Sequence, residues 1–280
     1  MDADALRRAL AAAGGSDLLV GRRIEWHARI DSTNLRARDL AASGEPEGTV
    51  VLAGEQSQGR GRGSRVWHSA PGTGVYLSAI LRPEAPPASV PVFGLMAALA
   101  TAEALRALGG DSVVVKWPND LIVGASHPRL ARRKLAGILT EARTSSEGIR
   151  DLVIGIGINI GQAADDFPDE LRAIATSLRE ITGQSPGLVA GASAAILALD
   201  RWYRLWQKEG DAPILDAYPA NAPGLTGRRV RVDDASGGWT GVTAGLSADG
   251  ALRIRRDDAP GPPGDLVMIR HGEMVRIEET

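Results

Sequence analysis

The stretch GRGRGSRVW, residues 59–67, carries three arginines and no acid. In an extended chain alternate side chains share a face, so Arg60 and Arg62 point the same way between glycines. Exposed backbone N–H groups and guanidiniums suit a carboxylate or a phosphate. Trp67 adds a flat surface on which a base can stack. One reading is a site for a nucleotide beside a second anion; the other is a solvated RG-rich loop or a weak RNA-binding tract. The spacing matches neither the phosphate-binding loop of nucleotide triphosphatases nor a dinucleotide fingerprint.

Four more segments carry candidate chemistry. In KWPND, 116–120, Lys116 can meet phosphate, and Asn119 with Asp120 can offer oxygens to magnesium; a plain Pro-Asn-Asp turn is the alternative. In RRKLAGILTEA, 132–142, Lys134 opens an apolar strand, where a lysine can also simply reach out to water. In GIGINI, 155–160, glycines inside a strand mark close approach of a ligand or another backbone. Asn159 in that run needs partners if buried. In DSTN, 31–34, Ser32, Thr33 and Asn34 stand at a helix start, where an ordinary cap also explains them.

These segments need a scaffold. The sequence predicts helices at 3–13, after DSTN up to Gly44, at 90–108 and at 187–208. Strands are expected within 18–30, at 49–54 and at 74–81. Others should end at KWPND and run through LIVG, KLAGILTEA and DLVIGIGINI. Past residue 222 the texture changes to short strands between turn signals, with a Pro/Gly turn at 257–265. The expected fold class is α+β, with domains at 1–222 and 223–280, the second a small β module.

Composition narrows the function. A net charge of −2 gives no global pull toward nucleic acid or membranes, so any anion site must be local. No apolar run approaches the roughly 20 residues of a membrane span. Zero cysteines exclude disulfides and thiol nucleophiles and fit a cytoplasmic protein. The four histidines show no zinc spacing.

In order, DSTN, Q-x-x-GRGR…W, KWPND, RKLAGIL-x-E and GIGIN closely resemble the biotin protein ligases over about residues 31–160. The resemblance implies a catalytic domain like that of class II aminoacyl-tRNA synthetases, followed by an SH3-like β domain. It implies ATP and biotin as substrates, with Mg2+, and a biotinyl-5′-adenylate that passes biotin to a lysine. The partner would be the biotin carboxyl carrier domain of acetyl-CoA or another acyl-CoA carboxylase. Carried over, Ser32, Thr33, Asn34 and Gln56 hold the ureido ring of biotin. Gly59, Arg60, Gly61 and Arg62 cover the carboxylate and adenylate phosphate, with Arg60, Arg62 and Lys134 as catalytic cations. Arg65, Trp67, Lys116, Asn119 and Asn159 serve ATP, and Asp120 the metal. Arg270 or Arg276 is a candidate for the ATP phosphates.

The family loop commonly reads G-R-G-R-R-G-R-x-W; here Gly63 stands for an arginine and Ser64 for a glycine, which predicts looser retention of the adenylate. Only 30 residues precede DSTN, fewer than the winged helix of repressor-type ligases needs, so a ligase without DNA or membrane binding is expected. A lipoate or octanoate protein ligase of the same fold is the alternative.

Overall fold

The computed structural model describes residues 2–15, 17–234, 237–257, 266–270 and 274–277. In chain order the elements are α1 (Ala3–Ala12), β1 (Arg23–His27), α2 (Thr33–Ala42), β2 (Thr49–Ala53), β3 (Gly74–Leu81), α3 (Val90–Ala107), β4 (Val113–Lys116) and β5 (Asp120–Val123). Then come β6 (Lys134–Ser145), β7 (Gly148–Asn159), α4 (Asp169–Arg172), α5 (Leu178–Thr182), α6 (Leu188–Glu209) and α7 (Ala212–Asn221). The chain closes with β8 (Thr226–Asp234), β9 (Gly237–Leu246), β10 (Leu252–Arg256), β11 (Leu266–Ile269) and β12 (Met274–Ile277). All but Asp257 of the expected turn at 257–265 lies outside the described residues.

A seven-stranded sheet runs β1-β2-β3-β7-β6-β5-β4, and a five-stranded antiparallel sheet runs β11-β10-β9-β8-β12. In the large sheet only β1 and β2 pair in parallel. The central strands are covered on both faces, which is why β2 and β3 read as nearly unbroken apolar runs. One face packs on α3, α6 and α7 in the main core. The other carries α2, whose Ala37 and Ala41 meet Val51, Ile80 and Val153.

Strand β7 shows how alternation divides labour. Leu152, Ile154, Ile156 and Ile158 enter the main core. Their neighbours Val153, Gly155, Gly157 and Asn159 face the α2 side, because successive side chains of a strand point to opposite faces. A buried aliphatic side chain contributes about 1.5–3 kcal/mol, so one face of β7 anchors it while the other is left for glycine.

Helix α3 corrects one expectation. The helical segment 87–107 is long and apolar enough to cross a membrane by length and composition, although the sequence reading found no such run. Alanines make it apolar without bulk, and 67% of its most apolar window is buried. Phe93 meets the Trp206 ring of α6 edge-on at 4.6 Å, which fixes α3 against α6.

The expected KWPND strand end is a hairpin: β4 ends at Lys116, β5 begins at Asp120, and the two residues are register partners. The hairpin is held from outside its own sheet. Trp117 Nε1 donates to Gly250 O in the β9–β10 turn at 3.2 Å, and Tyr218 OH of α7 donates to Pro118 O at 3.2 Å.

Candidate active site

Cross-strand partners share a face, so the registers define rows across the sheet. One row runs Tyr76, Gly157, Gly137, Asp120, Lys116. The next runs Ser78, Gly155, Leu139. With adjacent strands about 4.8 Å apart, the paired Gly137 and Gly157 open a side-chain-free trough roughly 10 Å wide. A cavity of about 590 Å³ lies over this floor. That size suits a small organic ligand.

All the predicted site residues except Gly59 and the tail candidates Arg270 and Arg276 line this one cavity. Gly59 sits beside it, its carbonyl accepting from Trp67 N at 2.9 Å.

At one end the groups are small and neutral. Ser32 caps α2, with Leu35 N donating to its Oγ at 3.5 Å. Gln56 Oε1 accepts from Thr33 N at 2.8 Å and from Thr33 Oγ1 at 3.0 Å, while Gln56 Nε2 donates to Ser69 Oγ at 2.9 Å. Ser78 Oγ donates to Asn34 Oδ1 at 2.6 Å and lies 2.8 Å from Thr33 Oγ1. Asn34 Nδ2 donates to Glu141 Oε2 at 3.0 Å. Asn34 can stand there only because residue 155 is glycine: a Cβ would lie 1.9 Å from Asn34 Oδ1.

At the other end the groups are charged. Arg60, Arg62, Arg65, Lys116, Arg132 and Lys134 line the cavity, and Asp120 is the one acidic side chain among the described lining residues. Such an excess concentrates anions. Lys134 Nζ sits 2.5 Å from Asp120 Oδ1 and 5.2 Å from the centroid of the Trp67 ring. The Trp67 ring lies over the trough, where a Cβ would come within 2.6 Å of it at Gly157 and 3.1 Å at Gly137. Burial, then the charge of Asp120, hold the Tyr218 hydroxyl well above the usual phenol range, so it remains a donor to the hairpin.

Between the ends, residues 59–67 fold into a tight turn rather than an extended strand. Arg60 pairs with Val66, and Gly61 N donates to Arg65 O at 2.8 Å. Gly63 takes φ 68°, the left-handed conformation that lets the turn close. Arg60 Nη1 meets both carboxylate oxygens of Glu141 at 3.0 Å. Downstream the lid is tied by Tyr76 OH, which donates to Ala70 O at 2.9 Å. Burial pushes this hydroxyl up to about 12.

Some predicted residues have internal partners. Asn119 Nδ2 donates to Ile138 O at 2.8 Å, and Ile138 N donates back to Asn119 O at 2.8 Å. Asn159 Nδ2 donates to Thr176 O at 3.0 Å. Arg270 pairs with Asp249 in the small sheet at 2.8 Å; the side chain of Arg276 lies outside the described residues. The sequence reading missed Arg132, Phe167 and Ile174, which form a second wall. Only Arg132, beside Lys134 in a basic run, left a signal.

Residues 26–159 match the Biotin/lipoate A/B protein ligase family. The chain is 36% identical over 240 residues to the bifunctional ligase/repressor BirA of Bacillus spizizenii, covering 86% of this chain and 71% of that one. It is 32% identical over 244 residues to a biotin--[acetyl-CoA-carboxylase] ligase of Paracoccus denitrificans, covering 86% and 95%. Among solved structures, a biotin protein ligase from Aquifex aeolicus in complex with biotin and ATP superposes with a TM-score of 0.75 at 27% identity, covering 92% of this chain and 100% of that one. The seven-stranded scaffold, its glycine trough and these likenesses agree: the chain belongs to the biotin/lipoate A/B protein ligase family, and within it to the biotin protein ligases.

Proposed function

We propose that this chain joins biotin to a carrier-protein lysine in two half-reactions over one glycine trough. In the first, a carboxylate oxygen of biotin attacks the α-phosphorus of ATP. The bond to pyrophosphate breaks, and biotinyl-5′-AMP forms. In the second, the amine of a lysine on a biotin carboxyl carrier domain attacks the acyl carbon; AMP leaves and the amine gives its proton to solvent. The observation that carries the reading is the charge layout: six cations and one carboxylate meet a neutral hydrogen-bonding pocket across a glycine floor covered by the Trp67 ring. Joining two anions calls for cations poised where charge develops.

Ser32, Thr33, Asn34 and Gln56 hold the ureido ring at the neutral end. Lys134 exchanges Asp120 for the reacting carboxylate and phosphate, with Arg60 and Arg62 above them. Trp67 turns its face to adenine, and Arg65, Lys116, Asn119 and Asn159 line the nucleotide side. The residues present fit a magnesium ion: it needs one or two carboxylates, with phosphate oxygens and water completing its shell, and Asp120 would supply the carboxylate. There the ion would offset the negative charge of the triphosphate. Residues 59–67 exclude water from the adenylate.

The carrier belongs to acetyl-CoA carboxylase or another acyl-CoA carboxylase, which the Paracoccus relative's name supports. Neither DNA nor membrane is a partner in this reading, which the net charge of −2 favours, and the protein works in the cytoplasm, which the absence of cysteine fits. A division into a catalytic domain, 1–222, and an SH3-like domain, 223–280, is supported by α7 ending at Asn221 and β8 starting at Thr226.

Incubating the chain with ATP, Mg2+, biotin and a carrier domain, omitting each in turn, tests the reading on an avidin blot. Label must appear only in the complete mixture; its absence there overturns the proposal. Because the family also includes lipoate ligases, lipoate must protect the chain against melting less than biotin does.

A further inference from the structure

Glu141 does not line the cavity, yet it joins the two sets of groups that do. It stands on the site face of β6 as register partner of Val153, one row from the Ser78–Gly155–Leu139 row that holds Asn34. Its side chain is 21% exposed. Oε2 accepts from Asn34 Nδ2 at 3.0 Å, and both oxygens accept from Arg60 Nη1 at 3.0 Å. On the solvent side Oε1 also accepts from Arg38 Nη1 at 3.1 Å.

We propose that Glu141 is a positioning residue that sets the amide of Asn34 in the biotin pocket and tethers the lid through Arg60, so that one carboxylate couples biotin recognition to retention of the adenylate. The proposal rests on the ligase reading above. The orientation of Asn34 follows from the acceptor. An amide between a carboxylate and a hydroxyl donor must turn its NH2 to Glu141 and its oxygen to Ser78. The lid follows from the charge. Arg60 begins the turn at 59–67, and a charge-assisted pair to rigid β6 fixes that limb while the tip can still move. A neutral residue of the same shape would keep an oxygen for Asn34 but lose the ion pair, and its own NH2 would compete for the same space.

The test uses the full chain with Glu141→Gln, Arg60→Gln, the double variant and Arg38→Ala. The readouts are KM for biotin, kcat for pyrophosphate release, and the dissociation rate of preformed biotinyl adenylate. Glu141→Gln should raise both KM for biotin and adenylate release about tenfold, with kcat within about threefold. Arg60→Gln should raise adenylate release at least as much and lower kcat as well, since it also removes a cation from the reacting carboxylate and phosphate. The double variant should release adenylate no faster than Arg60→Gln alone, since the Glu141 contact it removes is already broken there. Arg38→Ala should leave KM and release within about twofold of wild type. KM or release at the wild-type value in Glu141→Gln overturns the proposal. So do additive effects in the double variant, or an Arg38→Ala effect as large as that of Glu141→Gln. If Glu141→Gln does not fold, Arg60→Gln decides, and an unchanged release rate refutes the coupling. A wild-type chain that forms no biotinyl adenylate sinks the ligase reading instead; a competent wild type with unaffected variants sinks only this inference.

Discussion

The neutral and the cationic ends of the cavity hold their side chains by different means. At the neutral end Thr33, Gln56, Ser69, Ser78 and Asn34 bond to one another in a chain rooted in β3, β6 and the cap of α2. At the cationic end the lid turn is closed by backbone pairs, Arg65 Nε reaches the Arg62 carbonyl at 3.2 Å, and Val66 is 79% exposed. One end is braced by side chains bonded to rigid strands, and the other rests mainly on the backbone bonds of one exposed turn. That division suits a reaction whose first substrate must be recognised and whose product must then be kept from water.

Removing charge from the cationic end should produce the largest loss. Lys134→Ala should cut adenylate formation about a thousandfold, followed by pyrophosphate release. Crowding the fixed end comes next. Gly155→Ala forces a methyl group onto Asn34 and should destabilise the fold by about 3 kcal/mol in urea unfolding, weakening biotin binding as well.

Alkali attacks the seam between the ends. The unfolded chain releases the Tyr76 proton near pH 10 and the folded chain near 12. Above pH 10 the unfolded state therefore binds fewer protons, and stability falls as pH rises. The stability tied to this proton is complete below pH 10 and is lost as pH rises through 12, by roughly 2–3 kcal/mol in all. Tyr76→Phe should lack that component when melting is followed from pH 9 to 12. The smallest effect belongs to the lid tip. Gly63→Arg restores the family's cation, but in a left-handed turn that costs an L-residue about 1–2 kcal/mol. An exposed cation gains back at most about 1 kcal/mol, so adenylate release should change by less than about threefold. Much slower release would mean that the lid is as ordered as the neutral end.

Much of this was legible because strand alternation is local. LVIGIGIN shows the core face and the bare face of one strand, and the five strands after residue 222 announce themselves by their turns. The pairings were not legible. Glu141 meets Asn34 and Arg60 across 107 and 81 positions, and no local pattern encodes such partners. Lys134 was expected among phosphates and has Asp120 beside it; the register that brings them together arises only when β5 aligns with β6. The wall containing Phe167 and Ile174 lacks a motif because it offers shape rather than chemistry.

The bond from Trp117 to Gly250 carries a genetic consequence. The hairpin that presents Lys116 and Asp120 leans on the β9–β10 turn, so a premature stop codon beyond residue 222 removes a buttress of the cavity's charged end. Late truncation alleles should therefore fail first when cellular ATP is low, while surplus biotin in the medium rescues them poorly.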